Sequence, residues 1–169
     1  MPGANNPIPL RVTRQATIHV VRTTIAAVAS LLIARLFKLP EAYWAAITTL
    51  VVMQSSLGAA LTISWQRFVG SAIGAVAGAL FATYFGSNTA MFALGIFVMG
   101  ILCAALRLDK AAYRFAGITL AIIMLTAHTA PAWIVAIHRF IEVAVGIAVG
   151  LALTAVWPED AGAFDAPAR

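Results

Sequence analysis

Trp65-Gln66-Arg67-Phe68-Val69-Gly70-Ser71-Ala72-Ile73-Gly74-Ala75-Val76-Ala77-Gly78-Ala79-Leu80-Phe81-Ala82-Thr83-Tyr84-Phe85 is the stretch that decides how this chain folds. After Arg67-Phe68 the run is apolar, and Gly70, Gly74 and Gly78 recur at every fourth residue. That spacing returns to one side of an α-helix, so the three glycines form a stripe almost free of side chains. In lipid such a stripe lets another helix approach backbone to backbone, where apolar burial alone gives no preference between neighbours. The signature then returns. Arg67, Phe68, Gly74 and Gly78 match Arg139, Phe140, Gly146 and Gly150 at an offset of 72, with Glu142 standing where the first copy has Gly70.

The correspondence extends upstream of the stripe. Trp44, Ala45, Ile47, Thr48, Val51, Val52 and Met53 align with Phe115, Ala116, Ile118, Thr119, Ile122, Ile123 and Met124 at an offset of 71, and Arg35-Leu36 aligns with Arg107-Leu108 at 72. Two units of three spans each enter a membrane from opposite sides, because three is odd. The predicted fold is therefore an all-α polytopic membrane protein of six transmembrane helices, built from an inverted 3+3 repeat.

Composition agrees with that reading. The chain has 169 residues, of which 62% are hydrophobic and 10% charged, whereas soluble domains carry about 25% charged residues. At roughly 20 residues per span, the length fits six apolar runs, over 18–37, 42–63, 68–85, 89–106, 113–129 and 138–157, punctuated by Pro40, Pro131 and Pro158. Residues 1–17 read as a basic cytoplasmic leader and 158–169 as a polar tail. Between them, 18–157 divides into repeat one (18–86) and repeat two (89–157). Arg35 and Lys38 fall where a signal peptide would be cleaved, so the first helix is expected to be retained.

The net charge of +5 would point to nucleic acid in a soluble protein, but here the arginines lie at the ends of apolar runs. They read as topology signals and headgroup contacts, with the lipid bilayer as partner and no nucleic acid. A cytoplasmic N-terminus places Arg11, Arg14, Arg22, Arg67, Arg107, Lys110, Arg114 and Arg169 inside, against Arg35, Lys38 and Arg139 outside. Both termini are thus expected in the cytoplasm.

No metalloprotease, dithiol, phosphate-loop or nucleophile–base pattern occurs in the sequence, so no enzyme activity, cofactor or metal is expected. Cys103 is the single cysteine and reads as a small core or lipid-facing residue. His138 and Glu142 share a face at i and i+4, but with no third ligand they read as a helix-end cluster with Arg139. Glu142 also lies on the face of Gly146 and Gly150, about one turn inside the sixth run. It is a candidate for proton coupling, or for gating against Arg139 or Arg35. His128, at the same depth, is the second coupling candidate, with a turn-bonded interfacial histidine as its plainer reading. Thr48, Thr49, Gln54, Ser55 and Ser56 form a polar cluster. It suits either hydrogen bonding between helices or a broken helix whose freed backbone lines a polar path.

Three segments together resemble the signature of the fusaric acid resistance and aromatic acid exporter family. They are Tyr43-Trp44-Ala45-Ala46-Ile47-Thr48-Thr49, then Val51-Val52-Met53-Gln54-Ser55-Ser56-Leu57-Gly58-Ala59, then Arg67-Phe68-Val69-Gly70-Ser71 with Gly74-Ala75. Plant aluminium-activated malate channels are similar more distantly. The resemblance implies a bacterial inner-membrane protein that moves organic, often aromatic, carboxylates outward. Because family exporters often have two six-helix halves, it also implies a homodimer of this chain. Arg67 and Arg139 would attract the carboxylate, Trp44 and Phe115 would face its ring, and Thr48, Thr49 and Gln54 would line the path. The expected function is efflux of a small organic anion. The alternatives are a passive anion channel of the same fold and a non-transporting scaffold or accessory subunit in which Gly70, Gly74, Gly78, Gly146 and Gly150 are packing surfaces alone.

Overall fold

The computed structural model describes residues 14–54, 56–126 and 129–157, which form six α-helices: α1 (Arg14–Leu36), α2 (Tyr43–Val52), α3 (Leu57–Tyr84), α4 (Thr89–Ala105), α5 (Lys110–Leu125) and α6 (Ala132–Val156). Their surface is the reverse of a soluble protein's. Val20, Ile25, Val28, Leu32, Leu61, Phe97 and Ile101 are exposed, while Arg22, Ser30, Thr48, Thr49, Ser64, Arg67, Thr119, Arg139 and Glu142 are buried. Lipid solvates apolar side chains and leaves polar ones to find partners inside, so this inversion is what a bilayer imposes. Three helical segments, Thr17–Leu36, Leu57–Tyr84 and Ala132–Val156, are long and apolar enough to cross a membrane. The other three, α2, α4 and α5, have 10, 17 and 16 residues, fewer than the roughly 20 of a full span.

The apolar run over 42–63 is not one helix. Its first part is α2, which stops at Val52, and the backbone turns extended at Met53 (φ −61°, ψ 113°). Ser56 then caps α3, its side chain accepting from the Ala59 N–H at 3.3 Å. Two groups hold this break. The Ser56 hydroxyl satisfies one of the free N–H groups that begin a helix, and the Gln54 carbonyl accepts from Arg22 Nη2 at 2.7 Å. Because α3 starts at Leu57, Arg67 lies ten residues inside it and does not flank an apolar run.

Helix directions follow from the glycines. A Cβ at Gly70 would meet the Ala112 carbonyl oxygen and Phe115 Cβ (2.9 Å), one at Gly74 the Ala116 carbonyl oxygen and Cα (2.8 Å), and one at Gly78 Ile123 Cβ (3.1 Å) and Leu120 Cα (3.3 Å). The contacts ascend together, so α3 and α5 run parallel. Gly146 sits in the same way on the Ala45 carbonyl oxygen and Thr48 Cβ (2.6 Å), and Gly150 on Val52 Cγ1 (3.2 Å), so α6 runs parallel to α2. Between the two pairs α3 and α6 are antiparallel, with Phe68 on Phe140 (centroids 5.0 Å apart) and Ala75 packed with Ala136. α1 covers α2 and α6, and α4 packs on α5 through a core of Met99, Cys103, Ala116, Leu120 and Met124.

Arg22, Arg67 and Arg139 therefore do not sit at the interfaces where their charges were read as topology signals. Each is buried, at 0%, 5% and 2% exposure. Arg22 donates to the Trp157 carbonyl at 2.6 Å as well as to Gln54, so its cation lies at the C-terminal ends of α6 and α2, where helix dipoles favour positive charge.

Candidate functional site

The interior brings together four of the candidate polar and aromatic residues, in two pairs, at the level where α3 and α6 cross. The Arg67 guanidinium lies over the Phe115 ring, 4.8 Å from its centroid, and Arg139 lies over the Trp44 ring at 4.4 Å. Each is an arginine of a glycine-bearing helix stacked on the aromatic residue of the helix that its own glycines contact. The ring faces thus stabilise the cations, an interaction that strengthens where water is excluded.

The two arginines differ in their other partners. Arg139 Nη1 donates to Glu142 Oε2 at 3.1 Å, and its Nη2 pairs with the Glu41 carboxylate. The Glu41 backbone N–H in turn donates to Glu142 Oε1 at 3.0 Å. Arg67 has only a neutral acceptor, Thr48 Oγ1 at 3.0 Å from its Nη2. It has no carboxylate partner among the described residues, and the charge of Arg139 bears on it as well. Among the described residues, Arg67 Nε, Arg139 Nε, Trp44 Nε1 and Ser64 Oγ are buried donors with no hydrogen-bond acceptor. Ser64 lies one turn before Arg67 on the buried face of α3. Unpartnered N–H and O–H donors beside a cation that no carboxylate touches are the chemistry of an anion site, because a carboxylate accepts several hydrogen bonds at once.

Two cavities flank this layer. One, of ≈ 210 Å³, is lined by Pro40, Glu41, Val135, His138, Arg139 and Glu142 among others. The second, of ≈ 590 Å³, lies between α3 and α6, is bounded by Ala75, Ala79, Trp133, Ala136 and Phe140, and contains no charged side chain. The first can hold a charged group; the second, lined mainly by apolar side chains with Thr83 and Tyr84, offers no charge.

Not every candidate converges here. Thr49 donates to the carbonyls of Ala45 and Gly146 at 3.0 Å each, bonding α2 to α6. Gln54 sits at the far end of α2, where its side chain returns to the Val51 carbonyl at 3.3 Å. His128 lies outside the described residues, as does Ser55 of the polar cluster. Glu41, Ser64 and Arg22 were not singled out by the sequence. Glu41 directly follows a helix-terminating proline, Ser64 is one hydroxyl among many, and Arg22 resembles an interfacial charge; no local pattern separates them from residues with no partner across the bundle.

A helical bundle with an apolar exterior, a polar interior and buried arginines at its central crossing has the organisation of an integral membrane protein. The chain belongs to the fusaric acid resistance protein-like family, whose pattern matches residues 26–153. It is similar to inner membrane protein YeeA of Escherichia coli (strain K12), with 28% identity over 163 residues that cover 92% of this chain and 45% of that protein. The chain thus spans less than half the length of that relative. No solved structure matches it.

Proposed function

We propose that this protein is an inner-membrane exporter of organic carboxylates, aromatic ones foremost, and that Arg67 receives the carboxylate. The observation that carries the reading is the burial of Arg67 without a carboxylate partner among the described residues. No carboxylate of the described residues touches its guanidinium, so a transported carboxylate can pair with it directly through charge-assisted hydrogen bonds. Membership of a resistance-type membrane family supports the same class of function. Thr48, Trp44, Phe115 and Arg139 complete the proposed path, with Glu142 and His128 as coupling groups.

The inverted repeat is part of this proposal, and reciprocal contacts support it. Phe68 and Phe140, which match at an offset of 72, touch each other. Arg67 on Phe115 corresponds to Arg139 on Trp44, and Gly74 on Ala116 to Gly146 on Ala45. Exchanging the repeats maps each contact onto another, as an axis between Phe68 and Phe140 would require. Sites at such repeat interfaces are typical of transporters. A homodimer with cytoplasmic termini is the proposed assembly, in keeping with a relative more than twice as long.

The test is flux of labelled benzoate in liposomes that contain only the purified protein, with and without an imposed pH gradient. Gradient-driven accumulation is the expected result. Equilibration without accumulation would replace the exporter by a passive channel, in which Arg67 and Arg139 line a pore and Glu142 has no coupling role. The absence of flux across a panel of organic anions would leave an accessory subunit.

A further inference from the structure

Two arginines and two glutamates make up the charged centre, and with both carboxylates ionised the set is neutral. Arg67 carries no carboxylate, while Arg139 carries both Glu41 and Glu142. A carboxylate that arrives at this layer adds one negative charge to a neutral group buried in low dielectric, where an excess charge is strongly penalised. The penalty disappears if one carboxylate of the protein departs as the ligand arrives. Glu142 is a poor candidate for departure, being 1% exposed and fixed on α6 by Arg139 and by the Glu41 N–H. Glu41 is different. Its side chain is 26% exposed, it belongs to the short connection 37–42 between α1 and α2, and it borders the ≈ 210 Å³ cavity together with Arg139.

We infer that Glu41 is a tethered counter-ion, a carboxylate of the chain that occupies Arg139 until the transported carboxylate displaces it. This inference rests on the anion reading of Arg67 and adds a second, internally occupied carboxylate subsite at Arg139. It assigns Glu41 two effects. Its carboxylate competes with the ligand, and while it is attached to Arg139 it stands across the cavity side of the site. Charge is balanced throughout: one carboxylate arrives as another leaves.

Benzoate is the probe, with purified protein in lipid nanodiscs and titration calorimetry as the readout. Removing the competitor raises apparent affinity by the inverse of the fraction of molecules free of the latch, so Glu41→Gln is expected to bind benzoate about tenfold or more tighter than the unmodified chain, and Glu41→Asp close to it. A second measurement does not depend on Glu41→Gln folding. With Cys103→Ser and Val135→Cys, a negatively charged thiosulfonate reports access to the cavity, and its labelling rate is expected to rise severalfold on saturation with benzoate. Equal or weaker benzoate binding by Glu41→Gln, or labelling at Val135→Cys that ignores benzoate, overturns the inference. A merely structural Glu41 would lower stability without tightening binding. Binding that Arg67→Gln abolishes but Glu41→Gln leaves unchanged defeats this inference alone, whereas no benzoate binding by any of these proteins defeats the anion reading with it.

Discussion

Adding one methyl group at Gly74 tests how the two glycine stripes hold the bundle. A Cβ there would overlap the Ala116 carbonyl oxygen and stand 2.8 Å from Ala116 Cα and 2.9 Å from its carbonyl carbon. Ordinary contact needs about 3.5–4.0 Å, so α5 must retreat by roughly 0.5–1 Å from its most extensively packed neighbour. The obstacle is backbone, which has no rotamer to escape into. Overpacking of this kind costs about 1–3 kcal/mol, and the upper part of that range applies because the strain falls on a whole helix. Ala is favoured over Gly in a helix by about 1 kcal/mol, which offsets part of it. Gly74→Ala is therefore expected to lose about 1–2 kcal/mol in a reversible SDS titration of the purified protein in mixed micelles. Gly58→Ala is the control: a Cβ at that position has nothing within 4 Å, so this substitution is expected to be neutral or slightly stabilising. Gly146→Ala, against the Ala45 carbonyl and Thr48 Cβ at 2.6 Å, is expected to match Gly74→Ala and to add to it, since the two glycines contact different helices. If Gly74→Ala were as stable as Gly58→Ala, close backbone approach would not be what the stripe provides.

Three further outcomes follow from the interior polar groups. Arg22→Met removes two hydrogen bonds from a cation to the carbonyls of Gln54 and Trp157; charge-assisted bonds contribute about 1.5–3 kcal/mol each, so a loss of about 3 kcal/mol or more is expected in the same titration. Phe115→Leu removes the ring beneath Arg67, a contact worth about 0.5–2 kcal/mol, and benzoate affinity measured by calorimetry is expected to fall about fivefold. Glu142→Gln removes the carboxylate that pairs with Arg139 on α6; transport by this variant in liposomes is expected to lose its response to a pH gradient, and an unchanged response would refute the coupling role proposed for Glu142.

Helical architecture was legible in the sequence because lipid imposes simple demands: long apolar runs, punctuation by proline, and glycines repeated on one helical face. The 71–72-residue offset also named the residues that correspond, such as Trp44 with Phe115 and Arg67 with Arg139. It did not say what touches what. Arg67 meets Phe115 of the other repeat and a threonine of its own, a pairing that depends on how α2, α3 and α5 pack. The break over 53–56 was harder to see, because hydropathy continues across it; the stop is set by Arg22, distant in sequence, accepting the role of partner to the exposed carbonyl of Gln54. For the same reason Arg67 looked like a flanking charge. Hydropathy alone does not distinguish an arginine at the end of a span from one a third of the way along a 28-residue helix. Glu41 was the least visible of all, since its importance comes from α6, 98 positions away in the chain.

Whether Arg67 receives a carboxylate is decided by benzoate binding to the purified protein, compared among the unmodified chain, Arg67→Gln and Arg114→Gln. Arg114 is exposed on α5, so its replacement removes the same formal charge without touching the interior. The expected result is saturable binding that Arg114→Gln retains and Arg67→Gln abolishes, while Arg67→Gln remains folded by SDS titration. Equal binding by Arg67→Gln and the unmodified chain would contradict the account.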